Sequence, residues 1–146
     1  MRVLRTILLA TVGFYAGMVA AARFVKRAVP SRGDAESDEV GLVAIQGGEE
    51  LASRAQAFRG GSLLAWQGGI EADLRGAQLA PGGAQLTVHA LMGGIDIRVP
   101  AGWRVESRMR ALAGGVDVRV PEPEDAAAPT LTLEGLAVFG GVSVRA

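Results

Sequence analysis

The sequence predicts an all-β fold: a β-solenoid, a single-stranded β-helix-like stack of about five rungs, preceded by one transmembrane α-helix. Three observations carry that expectation. Gly47-Gly48, Gly68-Gly69, Gly93-Gly94, Gly114-Gly115 and Gly140-Gly141 recur at intervals of 21, 25, 21 and 26 residues. Each pair is followed by a short strand-like segment, and each is preceded by a longer alternating one. Ahead of all five lies an uncharged, mostly apolar stretch. A sequence period of this size marks repeats that cannot bury an apolar face alone and must stack on their neighbours.

The amino-terminal element comes first. Thr6 to Ala22 is uncharged and lies between Arg5 and Arg23. As a helix it would measure roughly 25 Å at about 1.5 Å per residue, a little short of a bilayer core of about 30 Å. Snorkelling of Arg5 and Arg23 extends the span to Val3–Val25. Residues 1–27 are therefore expected to be a membrane anchor. A charged start and Ala20-Ala21-Ala22 also suit a cleavable signal peptide, but Arg23, Lys26 and Arg27 follow at once, as a stop-transfer flank does. Arg2 and Arg5 precede the span while Arg23, Lys26, Arg27 and Arg32 follow it. The positive-inside rule then places the large domain on the cytoplasmic side of an inner membrane. Gly13, Gly17 and Ala21 fall at four-residue spacing, a stripe through which two such helices can pack closely.

Residues 28–39 are polar and charged and are expected to form a flexible linker. Residues 40–146 hold the repeats. Aligned on the glycine pairs, the residue three places earlier is always alanine: Ala44, Ala65, Ala90, Ala111 and Ala137. Five places earlier stand Leu42, Leu63, Val88, Met109 and Gly135; directly before the pair stand Gln46, Gln67, Met92, Ala113 and Phe139. Period-two alternation puts these three columns on one face, the expected core. After the pair, Ile70, Ile95, Val116 and Val142, then Ala72, Ile97, Val118 and Val144, supply further inward residues suited to stacked strands. Outward acids (Glu50, Glu71, Asp96, Asp117) alternate with Asp73, Arg98, Arg119 and Arg145, and pairing across the two columns offsets repulsion down the acidic ladder. The glycine pairs are expected to make one corner. Segments such as Pro100-Ala101-Gly102-Trp103 make a second. Glu49 to Phe58 departs from the pattern and is expected to be an irregular first rung.

Composition bounds the chemistry. With 15 basic and 15 acidic residues the net charge is zero, so nothing points to nucleic acid. The absence of cysteine excludes disulfides, thiolate metal sites and a cysteine nucleophile. His89 is the only histidine, and no serine or threonine has a partner at a telling spacing. A linear acidic ladder does not converge on a cation, and no Lys-Ser/Thr follows a glycine pair as in a phosphate loop. No catalytic, cofactor-binding or metal-binding residues are expected, and no enzyme.

Two features point to surfaces. Gln46 and Gln67, on successive rungs, can satisfy one another as an amide ladder or face a polar partner. Opposite the core face, Ile45, Trp66, Leu91, Leu112 and Val138 form an apolar column two places before each pair, beside Val43, Leu64, His89, Arg110 and Leu136. Either an adjacent loop covers this column, or it is a stripe that meets a partner.

The segments Ile95-Asp96-Ile97-Arg98-Val99-Pro100-Ala101-Gly102-Trp103, Gly114-Gly115-Val116-Asp117-Val118-Arg119 and Phe139-Gly140-Gly141-Val142-Ser143-Val144-Arg145 resemble the carboxy-terminal domain of LiaF-like proteins, bacterial membrane proteins of the cell-wall-active antibiotic response. The resemblance covers roughly residues 40–146. It implies a β-solenoid at the membrane that tunes an envelope-stress sensor kinase by protein contact, with no catalytic residues to carry over. The chain departs from that family in having one predicted membrane helix instead of several, and only Phe139 keeps the aromatic before the glycine pair.

Two functions are thus expected of this sequence. In the first, the anchored module binds a protein partner, such as a sensor kinase, through Ile45, Trp66, Leu91, Leu112 and Val138. In the second, the chain is a bactofilin-like scaffold that self-assembles by end-to-end stacking on Val142 and Val144, the last strand of the sequence.

Overall fold

The computed structural model describes residues 2–146, which form one helix and ten strands. Helix α1 runs from Arg2 to Ala28, 27 residues, about 40 Å at 1.5 Å per residue. From Val3 to Ala28 it is long and apolar enough to cross a membrane. Lys26 and Arg27 occupy its last turn, where positive charge suits the carbonyl end of the helix.

The second compact unit is Ser31–Ala146. Its long strands are β1 (Glu39–Ile45), β3 (Gly60–Trp66), β5 (Ala84–Leu91), β7 (Arg104–Leu112) and β9 (Thr130–Val138). Each is followed across a glycine corner by a short one: β2 (Gly48–Ala52), β4 (Gly69–Asp73), β6 (Gly94–Arg98), β8 (Gly115–Arg119) and β10 (Gly141–Arg145). All strand pairings are parallel, and they build two five-stranded sheets, one of long strands and one of short. Glu49 to Phe58, the irregular segment, begins with strand β2, in which Glu49 takes the register position of Ile70.

The order of strands is not the order of sequence. The sheets run β1-β3-β5-β9-β7 and β2-β4-β6-β10-β8, so the fifth repeat is inserted between the third and the fourth. Composition explains why. The inward residues of β9 (Leu131, Leu133 and Ala137) are fully buried, whereas β7 places Ser107 opposite Leu133 and carries four charged residues along its outer face. An apolar strand gains from being covered on both sides, and a charged one suits an edge. Electrostatics agree, because Ser143 now separates Asp96 from Asp117, which would otherwise be direct neighbours. Residues 120–129 make the return. The Arg104 amide donates to the Pro129 carbonyl (2.9 Å), and its guanidinium to the carbonyls of Ala126 and Asp125 (both 3.4 Å).

This order corrects the expected stacking end. Val142 and Val144 are 2% and 0% exposed, in a strand flanked by β6 and β8. The outermost strands at that end are β7 and β8.

The corner chemistry also differs from expectation. Gln46, Gln67, Met92, Ala113 and Phe139 do not continue the core column. All five adopt φ of 49–54°, the left-handed conformation that ends the long strand and turns the chain. The glycine pair itself has no positive φ. Its first member is needed for close approach: a Cβ on Gly68 would collide with the backbone of Gly47, one on Gly93 with Gly68, one on Gly140 with Gly93, and one on Gly114 with Gly140. These contacts spell out the same stacking order. The Gln46 side-chain amide donates to Gln67 Oε1 at 3.2 Å, so the two glutamines do form a ladder, but at an outer corner.

Residues 31–38 are not a free tether. Arg32 pairs antiparallel with Gly41, exchanging both backbone bonds at 2.6 and 2.7 Å, and Ser31 Oγ accepts from the Val43 amide at 3.0 Å. The carbonyls of Ala35 and Asp38 accept from the amides of Arg54 and Arg59, and Glu36 pairs with Arg54 at 3.2 Å. The segment thus takes up backbone groups that the first strand would leave bare. Only Val29 and Pro30 lie between the end of α1 and this cap.

Between the sheets the core contains Leu42, Leu63, Val88, Ile70, Ile95, Ile97 and Val144, closed by Phe58, Leu74 and Val99. Trp103 follows a turn in which its amide donates to the Pro100 carbonyl (3.1 Å), and the turn drops the indole into the core at 5% exposure.

Candidate interaction surfaces

The outer face of the long-strand sheet carries the apolar column expected from the sequence. In-register pairing sets Ile45 beside Trp66, Trp66 beside Leu91, Leu91 beside Val138 and Val138 beside Leu112. The five residues are therefore brought together as one row, in the order of the stack. Their exposure is graded. Ile45 is buried, Trp66, Leu91 and Val138 are half-buried, and Leu112 is 59% exposed. A second row, Leu64, His89 and Leu136, runs alongside, with His89 half-buried between two leucines.

The outer face of the short-strand sheet is ionic. Asp96 accepts from Arg145 on the adjacent strand and lies 4.0 Å from Arg98; Arg119 meets Asp117 at 2.8 Å. The pairing across columns expected from sequence is present. At the end of β4, Arg75 holds both carboxylate oxygens of Asp73 at 2.9 and 2.7 Å. That fork of hydrogen bonds brings Asp73 down to about 2, and the same contact raises Arg75. In the cap, the Ser37 hydroxyl and the Glu36 amide both donate to Asp34 and hold its carboxyl below the usual range. Among the described residues no three His, Asp or Glu side chains converge as metal ligands would.

The chain matches no family model, no curated protein and no solved structure.

A surface that the sequence alone did not mark is the β7–β8 end. Each column has an internal control for exposure. Ala44, Ala65, Ala90 and Ala137 are buried, yet Ala111 is exposed. Ile97 and Val144 are fully buried, yet Val118 is 36% exposed. Ala111 and Val118 are chemically like their counterparts in the other repeats and differ in having no strand beyond them among the described residues. The signal was present in the composition of β7. Ser107 stands in an inward position, and Arg104, Glu106, Arg108 and Arg110 alternate along the outer face, as edge strands do.

In α1, Gly13, Gly17 and Ala21 lie along one face and are exposed, and a Cβ on either glycine would meet nothing within 4 Å.

Proposed function

We propose that this protein is a single-pass membrane protein of the cell envelope whose β-solenoid domain, on the cytoplasmic side, regulates a signalling partner by direct contact. The most concrete partner is an envelope-stress sensor kinase, as the resemblance to LiaF-like proteins implies. The observation that carries the reading is the row Trp66, Leu91, Val138 and Leu112, apolar side chains aligned across four strands on the outer face of a sheet. A rigid sheet presents such a row without ordering cost, which favours recognition of a partner's apolar segment. Parallel in-register stacking of every repeat supports the solenoid.

A direct test is Trp66→Glu in the native host, read by co-purification with membrane sensor kinases and by the transcriptional response to a cell-wall antibiotic. The expected result is loss of the partner and a changed response with unaltered protein level. Retention of every partner and an unchanged response would refute the contact surface.

The open edge of β7 and β8 favours a second reading, the self-assembling scaffold. The cap that residues 31–38 form on β1 opposes it, because head-to-tail growth of the long-strand sheet needs both of its edges open.

A further inference from the structure

We propose that two copies of this chain join through the open edges of their β7 strands, antiparallel and about a two-fold axis, as a closed dimer. The inference rests on the stacking order and not on the regulatory role.

The two ends of the stack are unlike. At β1 the backbone is bonded to Arg32 of the cap, while among the described residues β7 pairs only with β9. With the long-strand sheet covered at its β1 edge, a contact between long-strand edges uses β7 on both partners; it is then self-complementary and closes after two copies. The sequence of β7, Arg-Val-Glu-Ser-Arg-Met-Arg-Ala-Leu, has that property. If two β7 strands pair over their full length about Arg108, Glu106 of each copy faces Arg110 of the other, and this favourable pair occurs twice. The inward residues agree: Val105 meets Ala111, and Ser107 meets Met109, so core faces core. Arg108 meets its own copy, but it is already opposed by Glu134 (3.5 Å) and Glu106 (3.9 Å) of its own chain. The exposed inward residue Ala111 would gain cover, and the unpaired backbone of β7 would find partners.

The test uses the full chain in detergent micelles. It has no native cysteine, so a single introduced thiol gives an unambiguous readout. Directly opposed residues of an antiparallel pair have Cα atoms about 4.5–5.5 Å apart, within disulfide range. Arg108→Cys is expected to form a covalent dimer under mild oxidation, while Glu71→Cys, exposed on β4, remains monomeric. Glu106→Arg and Arg110→Glu are each expected to weaken dimerisation about tenfold, and the double exchange to restore it. The proposal is overturned if Arg108→Cys cross-links no faster than Glu71→Cys, or if the protein forms an open-ended ladder of polymers. Should Arg108→Cys fail to fold, the charge exchange decides: a double variant no better than the singles overturns the pairing.

Discussion

Val142 lies in register beside Ile95, so the last strand of the chain docks on the third repeat and separates it from the fourth. The consequence reaches both surfaces described above. It completes the apolar row across Leu91, Val138 and Leu112, and it makes the arginine-rich strand β7 an edge.

Alanine at the two members of one glycine pair should have very different effects. Gly93→Ala drives a Cβ into the backbone of Gly68, whereas Gly94→Ala meets nothing within 4 Å. Gly93→Ala should cost about 3 kcal/mol or more, by forcing stacked backbones apart, and Gly94→Ala less than about 1 kcal/mol. Denaturant unfolding of the two variants measures the difference.

Equivalent valines on β10 and β8 should respond to charge in opposite ways. Val144→Asp buries a carboxylate without a partner in the core and should abolish folding, at a cost of several kcal/mol. Val118→Asp, on the open end, should leave the domain folded with a destabilisation of about 1 kcal/mol or less. Circular dichroism and thermal melts of both variants check this.

The Asp73–Arg75 pair gives a pH dependence of defined sign. The carboxyl titrates at about 2 in the folded protein against 3.8 for the free group. Its contribution is therefore complete well above pH 3.8 and fades as pH falls through about 2. The side chain is 33% exposed, so solvent screening limits the contribution to about 0.5–1 kcal/mol. Asp73→Asn should be less stable than the parent by that amount at neutral pH, and the difference should vanish near pH 2.

Much of this architecture was legible in the sequence because strand periodicity is a local signal. The alanine column, the Ile/Val columns and the outward ion pairs all fall where alternation puts them. The column before each glycine pair was misplaced because the period stops at the corner. Gln46, Met92 and Phe139 are not residue types that announce a left-handed turn, so nothing local marks where alternation ends. The stacking order was harder still. Val116-Asp117-Val118 and Val142-Ser143-Val144 are nearly the same strand, and no local preference states which of them neighbours Ile95. The deciding information is distributed between Ser107, the arginines of β7, and Leu131 and Leu133 of β9. The cap was missed for another reason: residues 31–38 are polar and aperiodic, and their order comes from backbone bonds to Gly41, Arg54 and Arg59, which composition does not record.

The stacking order is the claim on which the open β7 edge, and the dimer inferred from it, depends, and cysteine pairs on the short-strand sheet test it directly. Ser143 is in register with Asp96, while Asp117 lies one strand further away. Strands about 4.8 Å apart bring paired thiols within reach of a disulfide, and twice that distance does not. An intramolecular disulfide is expected in Asp96→Cys/Ser143→Cys and none in Asp96→Cys/Asp117→Cys. The reverse result would place the fourth repeat against the third and overturn the stacking order.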